Sequence, residues 1–140
     1  MPNNLDYIAE VLKTESTDME PIRKRLNDPK IVRLLHAAIG MATEAGEMVD
    51  VLKKHIFYGK PLDEVNLLEE IGDSFWYSAV ALEVLGSTFE EAQRINIAKL
   101  RKRYGESFTT GRAITRDLPA ERKILEGREF TSPIDGSHGC

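Results

Sequence analysis

The chain has 140 residues, of which 41% are hydrophobic, 30% charged and 7% aromatic, a balance typical of one globular domain and not of a disordered chain. Its formal net charge is −4, with a local net of −8 over residues 41–91 and +5 over residues 94–129. The basic end contains interleaved glutamates and lacks stacking aromatics, so nucleic-acid binding is not favoured. No uncharged segment approaches the ~20 residues of a membrane span, so we expect no membrane partner.

Apolar residues recur every three or four positions through most of the chain, and the alternation typical of strands is absent. This periodicity predicts an all-α fold. A first short helix is predicted over residues 5–13, and a turn or second short helical segment over residues 21–26. Asp28 can then cap, and Pro29 can begin, a long helix that ends at about residue 57.

The segment 58–61 is a predicted turn, and Asp63 can cap a second long helix over residues 64–85 that ends at Gly86. These two long helices form a predicted helical hairpin. A further helix is predicted over residues 89–103, because Thr88 with Glu91 three residues later fits a capping box.

Beyond residue 105 the sequence becomes polar and irregular, with one short helix predicted over residues 120–125. From residue 130 onward we expect a loose tail with little function.

Two pairs of acids with i, i+3 spacing lie on the predicted hairpin. Glu44 and Glu47 share one face of the first long helix, and Glu70 and Asp73 share one face of the second. The two helices are predicted to run antiparallel from a turn near residue 60, so residues that are equally far from this turn should lie side by side. Glu47 is therefore predicted to lie opposite Asp73. Apolar residues flank both pairs, so we expect the four carboxylates to converge in a poorly solvated groove and to repel unless protons or a cation neutralise them.

An all-oxygen ligand set favours a hard cation, so Mg²⁺ is the expected metal, with Mn²⁺ as a possible substitute. A di-iron site is not favoured, because neither His36 nor His55 has an acid three residues before it. The alternative interpretation of the acids is a solvated face that pairs with Lys53, Lys54 and Lys60.

Two glycines, Gly46 and Gly72, lie inside the two acid pairs, where each costs a helix interior ~1 kcal/mol relative to alanine. Either the helices approach closely there, or the missing side chains leave room for a bulky ligand. The neighbouring aromatics Trp76 and Tyr77 could stack on a base, although core packing is the favoured interpretation at this helical spacing.

The two acid pairs resemble those of a known family. The run Glu-Ala-Gly-Glu-Met-Val-Asp, followed by Glu-Glu-Ile-Gly-Asp-Ser-Phe-Trp-Tyr, is similar to the MazG-type branch of the all-α nucleoside triphosphate pyrophosphohydrolases, with 22 residues between the acid pairs. The run Asn-Ile-Ala-Lys-Leu-Arg-Lys-Arg-Tyr at residues 96–104 is similar to the family's closing helix. The resemblance covers about residues 34–104, so we assign residues 1–110 to a catalytic domain and residues 111–140 to a polar extension and tail.

The resemblance implies hydrolysis of a nucleoside triphosphate to the monophosphate and pyrophosphate. The metal-holding residues that it implies for Mg²⁺ are Glu44, Glu47, Glu70 and Asp73. We therefore expect the hairpin and the additional helices to form a core like a four-helix bundle, and the resemblance implies that such bundles are completed across the subunits of a homodimer or of a dimer of dimers. Two alternatives stay open: a phosphoribosyl-ATP pyrophosphohydrolase built on the same bundle, and a non-catalytic helical interaction module.

Roles for individual residues follow from the chemistry and from the resemblance. Glu47 is our choice for the acid that orients or deprotonates the attacking water. Asn96 and Lys99 match family positions and could reach phosphate oxygens. Lys53 and Lys54 could do the same, although solvated lysines are the alternative.

The apolar residues also bear on assembly and location. A hairpin and one further helix cannot cover an apolar stripe that continues through Phe75, Ala79 and Leu82, which predicts a homodimer or homotetramer. The start of the sequence lacks the features of a signal peptide, and Cys140 is a single cysteine, so a cytoplasmic location is expected.

Overall fold

The computed structural model describes residues 4–127 of the chain. Over these residues the secondary structure is entirely helical, which confirms the predicted all-α class. The helices are α1 (Asn4–Leu12), α2 (Met19–Leu26), α3 (Pro29–Tyr58), α4 (Glu64–Val84), α5 (Phe89–Tyr104), α6 (Thr110–Ile114) and α7 (Leu118–Glu126). Within the described part of the chain, no helix is long and apolar enough to cross a membrane. The tail expected from residue 130 lies outside the described residues.

The chain divides into two compact units, Met1–Leu85 and Gly86–Cys140. The first contains α1 to α4, and the second contains α5 to α7. The division after residue 110, which was drawn from the resemblance, stays a prediction.

The hairpin of α3 and α4 forms the body of the first unit, and its ends follow the predicted capping rules. The Asp28 carboxylate accepts a hydrogen bond from the backbone N–H of Lys30 at 2.9 Å, and α3 ends at Gly59, whose φ of 66° suits glycine. The Asp63 carboxylate accepts from the N–H of Asn66 at 3.0 Å at the start of α4. These local rules therefore fix both the lengths of the two helices and the position of the turn.

The two helices approach most closely at Gly40, where a Cβ atom would lie 2.2 Å from the Tyr77 ring. Tyr77 and Trp76 both make edge contacts with the His36 ring, at centroid distances of 5.7 and 6.3 Å. Tyr77 is half-buried against α3, as the core-packing interpretation predicts, whereas Trp76 is 57% exposed, so core packing is wrong for Trp76.

Large apolar side chains nevertheless remain exposed on the hairpin, because two helices cannot cover each other on every face. Val65 is 81% exposed. Other exposed apolar residues of the hairpin are Val49, Ile56, Phe57, Leu68 and Phe75.

In the second unit, α5 begins at the predicted cap. The Thr88 hydroxyl oxygen accepts from the N–H of Glu91 at 3.1 Å, and the Glu91 carboxylate accepts from the Ser87 hydroxyl at 2.6 Å. In a complete capping box the Glu91 side chain would accept a hydrogen bond from the backbone N–H of Thr88, and here it accepts one from the Ser87 hydroxyl instead.

The prediction of an irregular segment between residues 105 and 120 is wrong, since α6 lies there. Thr109 caps α6 by accepting from the N–H of Arg112 at 3.3 Å, and Asp117 caps α7 by accepting from the N–H of Ala120 at 3.1 Å. Because of that cap, α7 begins two residues before the predicted start and ends one residue after the predicted end. Short helices that depend on such caps carry too little apolar periodicity to be found by period alone.

The contact of α7 with α5 includes a buried ionic cluster. The Arg103 guanidinium donates to both carboxylate oxygens of Glu121, at 2.9 and 2.6 Å, and Arg116 donates to the same carboxylate at 2.7 Å. Glu121 is only 3% exposed. The hydrogen bonds from Arg103, followed by those from Arg116, lower the pKa of Glu121 to about 2.

This lowered pKa predicts how the second unit responds to acid. A carboxylate with a depressed pKa contributes stability that is fully present above its unfolded value of 4.5 and is lost as the pH falls toward 2. Circular dichroism should therefore show a loss of helix in that window for the unmodified protein and a flatter response for Glu121→Gln. The exposed pair of Glu126 with Arg122 offers the control Glu126→Gln, which should behave like the unmodified chain. An equally steep response in Glu121→Gln would contradict the assignment.

Candidate metal centre

Three carboxylates meet on the α3–α4 hairpin. One oxygen from each of Glu44, Glu47 and Glu70 lies within 4.8 Å of the other two. Glu44 is 9% exposed and Glu70 is 3% exposed, whereas Glu47 is exposed. The sequence spacing predicted this meeting of the two helices, and the structure adds that two of the acids are buried while the third faces solvent.

Asp73, the fourth predicted acid, lies outside that group of three but within its electrostatic reach. The pKa of Glu44 is raised by burial first, then by a hydrogen bond with Glu70, and then by the negative charges of Glu47, Glu70 and Asp73. The fold therefore holds Glu44 in surroundings that disfavour its negative charge.

The nearby lysines do not neutralise the cluster. Lys53 and Lys54 both pair with Asp50, at 2.7 and 2.5 Å. These contacts lower the pKa of Asp50 to about 2, with the hydrogen bond from Lys53 as the largest cause. The solvated-face interpretation, which paired these lysines with the four acids, is therefore wrong for Lys53 and Lys54.

Asn66 supports the site and was missed by the sequence analysis. Its side-chain amide donates to Glu70 at 2.6 Å and to Glu69 at 3.2 Å, while its backbone N–H is fixed by the cap residue Asp63. The amide therefore orients the buried Glu70 carboxylate. The i, i+4 spacing of Asn66 and Glu70 is a signal from which this contact could have been predicted.

A cavity of about 500 Å³ opens beside Asn66 at the turn of the hairpin. Its lining residues are Val51, Lys54, Lys60, Pro61, Leu62, Asp63 and Asn66. Asn66 links this cavity to the cluster, because it lines the cavity and also donates a hydrogen bond to Glu70. The charged residues of the lining are Lys54, which pairs with Asp50, together with Lys60 and Asp63.

The two glycines within the acid pairs lie beside open space. A Cβ atom added at Gly46 or at Gly72 would meet nothing within 4 Å, in contrast to Gly40. Close helix approach at Gly46 and Gly72 is therefore wrong for the hairpin itself, and room for a ligand stays a prediction.

The two remaining predicted residues, Asn96 and Lys99, lie on α5 in the second unit. Asn96 is exposed and Lys99 is half-buried, and their i, i+3 spacing places them on one face of the helix. Their contact with a substrate stays a prediction.

A divalent cation fits this donor set. Three carboxylate oxygens within 4.8 Å of one another form a hard, anionic group, and burial of two of them weakens their solvation. Such a cation would offset the mutual repulsion of these acids. Hard oxygen ligands of this kind suit Mg²⁺ or Mn²⁺ better than Zn²⁺ or Cu²⁺.

Comparison with known proteins gives one finding of similarity. A model of the MazG nucleotide pyrophosphohydrolase domain matches residues 33–108, which is more than half of the chain and includes all four acids. No curated protein and no solved structure matches the chain.

The glycine contacts predict opposite effects of alanine at two positions of the hairpin. Gly72→Ala should raise the unfolding free energy by about 0.5–1 kcal/mol, because the helix gains rigidity and the added methyl meets open space. Gly40→Ala should lower it, because the methyl would overlap the Tyr77 ring. Urea unfolding in EDTA measures both, and equal effects at the two positions would refute the described packing.

The repulsion among the acids predicts that a divalent cation stabilises the fold. The gain is RT ln(1 + [L]/Kd), about 2.7 kcal/mol at a hundredfold excess over Kd. Melting in EDTA and then in millimolar Mg²⁺ should show this upward shift. Glu70→Gln should lose most of the shift, whereas Glu64→Gln, an exposed acid on the same helix, should keep it. A protein with no shift would have no metal site at this cluster.

Proposed function

Because the chain belongs to the MazG nucleotide pyrophosphohydrolase family, we propose that it hydrolyses a nucleoside or deoxynucleoside triphosphate to the monophosphate and pyrophosphate with Mg²⁺, for which Mn²⁺ can substitute. The observation that carries this proposal is the group of carboxylates contributed by Glu44, Glu47 and Glu70. Phosphoryl transfer to water needs charge neutralisation and positioning, and it needs no covalent protein nucleophile.

The burial of the acids supports a division of roles. Glu44, Glu70 and Asp73 would hold the cation together with Glu47, and the bound cation would neutralise the polyphosphate and polarise its oxygens. Glu47 is the acid of the three-residue group that faces solvent, so it is best placed to orient a water molecule. The water oxygen would bond to the α- or β-phosphorus while the bond from that phosphorus to the α–β bridging oxygen breaks. The bridging oxygen would leave with the other fragment, as pyrophosphate or as the monophosphate, and the proton of the water would pass to Glu47.

The substrate contacts that we propose come from two places in the chain. Lys54 lines the cavity beside Asn66 and would contact phosphate oxygens there, after exchanging its pairing with Asp50. Lys53 would act in the same way from the neighbouring position. Asn96 and Lys99 are proposed as phosphate contacts from their family positions on α5.

We also propose that the functional form is a homodimer or homotetramer. The hairpin exposes large apolar side chains along both helices, and their exposure to water is unfavourable by about 25 cal/mol per Å². A second copy of the hairpin would present a matching apolar surface.

Light scattering coupled to size-exclusion chromatography tests this assembly at tens of micromolar protein. The expected mass is two or four times the 15.8 kDa of one chain. Phe75→Glu, a charge placed on the exposed apolar surface, should shift the distribution toward monomer, whereas Glu83→Gln should not. A 15.8 kDa species for the unmodified chain would contradict the proposal.

The activity itself is tested with a panel of nucleoside triphosphates and Mg²⁺, with products separated by chromatography. We expect monophosphate and pyrophosphate in equal amounts. Asp73→Asn should reduce turnover about a hundredfold, if positioning by this acid contributes ~3 kcal/mol to the transition state. In EDTA the same variant should be at least as stable as the unmodified chain, because one of the charges that raises the pKa of Glu44 is gone.

The control is Glu83→Gln on the same helix, whose carboxylate pairs with Arg33 at an exposed position. Its turnover should be unchanged. Full pyrophosphate release by Asp73→Asn, or a loss explained by unfolding, would overturn the proposed site. Absence of any hydrolysis by the unmodified chain would favour the interaction-module alternative.

A further inference from the structure

The segment after residue 108 lies outside the family match, yet it holds the end of α5. The Arg112 guanidinium of α6 donates a hydrogen bond to the backbone carbonyl of Tyr104, the last residue of α5. The chain turns at Gly105, whose φ of 67° favours glycine. The C-terminal end of α5 is therefore capped by a side chain that the family match does not include.

Glu121 of α7 makes the second contact with α5. It accepts two parallel hydrogen bonds from Arg103, a planar arrangement that fixes both the distance and the orientation of the two groups. The guanidinium carbon of Arg103 also lies 5.6 Å from the centroid of the Tyr104 ring. Arg116 adds a third hydrogen bond to Glu121 from the loop between α6 and α7.

Apolar side chains contribute only part of this attachment. Ala120 and Ile124 of α7 are half-buried, whereas Ile114 of α6 and both Leu118 and Leu125 of α7 are exposed. Glu121 is 3% exposed and is the buried residue of α7. The hydrogen bonds of Arg103 and Arg116 to Glu121 therefore give the contact of the extension with α5 a defined geometry.

Arg103 shares a face of α5 with the two residues proposed to bind substrate. Asn96, Lys99 and Arg103 follow i, i+3, i+7 spacing, which aligns them along one side of a helix. A side chain that holds Arg103 in place therefore also sets the direction in which this face of α5 points. It keeps the last turns of α5 ordered as well.

We propose that Glu121 is a positioning residue, which acts through Arg103 to hold the face of α5 that carries Asn96 and Lys99. This inference rests on the proposed function, because it needs that face to bind the triphosphate. It makes the extension after residue 108 a working part of the enzyme, in contrast to the sequence-based expectation of a polar appendage.

The test compares full-length Glu121→Gln with full-length Glu126→Gln, which removes one charge from the exposed pair on the same helix. Amide hydrogen exchange over residues 96–104 should become about tenfold faster in Glu121→Gln and stay unchanged in Glu126→Gln. The KM for the triphosphate should rise about tenfold in Glu121→Gln, while kcat at saturation and the melting shift with Mg²⁺ change less than twofold. Arg103→Lys keeps the charge but loses the two-pronged contact, and should show the same pattern.

Arg116→Gln serves as the graded variant if Glu121→Gln does not fold, because it leaves the contact between Glu121 and Arg103 in place. It should raise KM and speed exchange in α5 to a smaller extent. Unchanged exchange in α5 would overturn the inference, and so would faster exchange with an unchanged KM, which would assign Glu121 a purely structural role. If the proposed function itself is wrong, the unmodified chain will show no hydrolysis at all. That result is distinct from the outcomes that would overturn the inference about Glu121.

Discussion

Repulsion between carboxylates that the fold brings together is the constraint on which the rest of the site depends. Glu44 and Glu70 are buried and Glu47 lies within 4.8 Å of both, so burial first, and then the neighbouring acids, raise the pKa of Glu44. A buried acid cluster is stable only when a proton or a cation compensates its charge. By holding the acids where water solvates them poorly, the fold supports the proposed binding of a divalent cation.

The rigidity of the hairpin is what maintains this unfavourable arrangement. Tyr77 packs directly on Gly40 and fixes the spacing of the two helices, and the cap at Asp63 sets where α4 begins. One turn into α4, Asn66 orients the buried Glu70 carboxylate. The open space at Gly72 then lies beside acids that are already positioned, which leaves room for a ligand without loosening the packing.

Much of this could be predicted from sequence because it depends on local rules. Caps, glycine stops and i, i+3 spacing determined the hairpin and the acid pairs. The spacing predicted that the acids converge, and the structure groups Glu47 with Glu44 and Glu70, while the position of Glu47 opposite Asp73 stays a prediction. The contact of Arg103 with Glu121 was not predictable, since it joins residues 18 apart on different helices, which no local spacing rule relates.

The most direct test of the central claim is anomalous diffraction at the manganese edge from crystals grown with Mn²⁺ and a non-hydrolysable nucleoside triphosphate. We expect an anomalous peak about 2–2.5 Å from carboxylate oxygens of Glu44, Glu47 and Glu70, with phosphate oxygens completing the coordination. Manganese bound elsewhere on the chain, with these three carboxylates left without a metal, would contradict it.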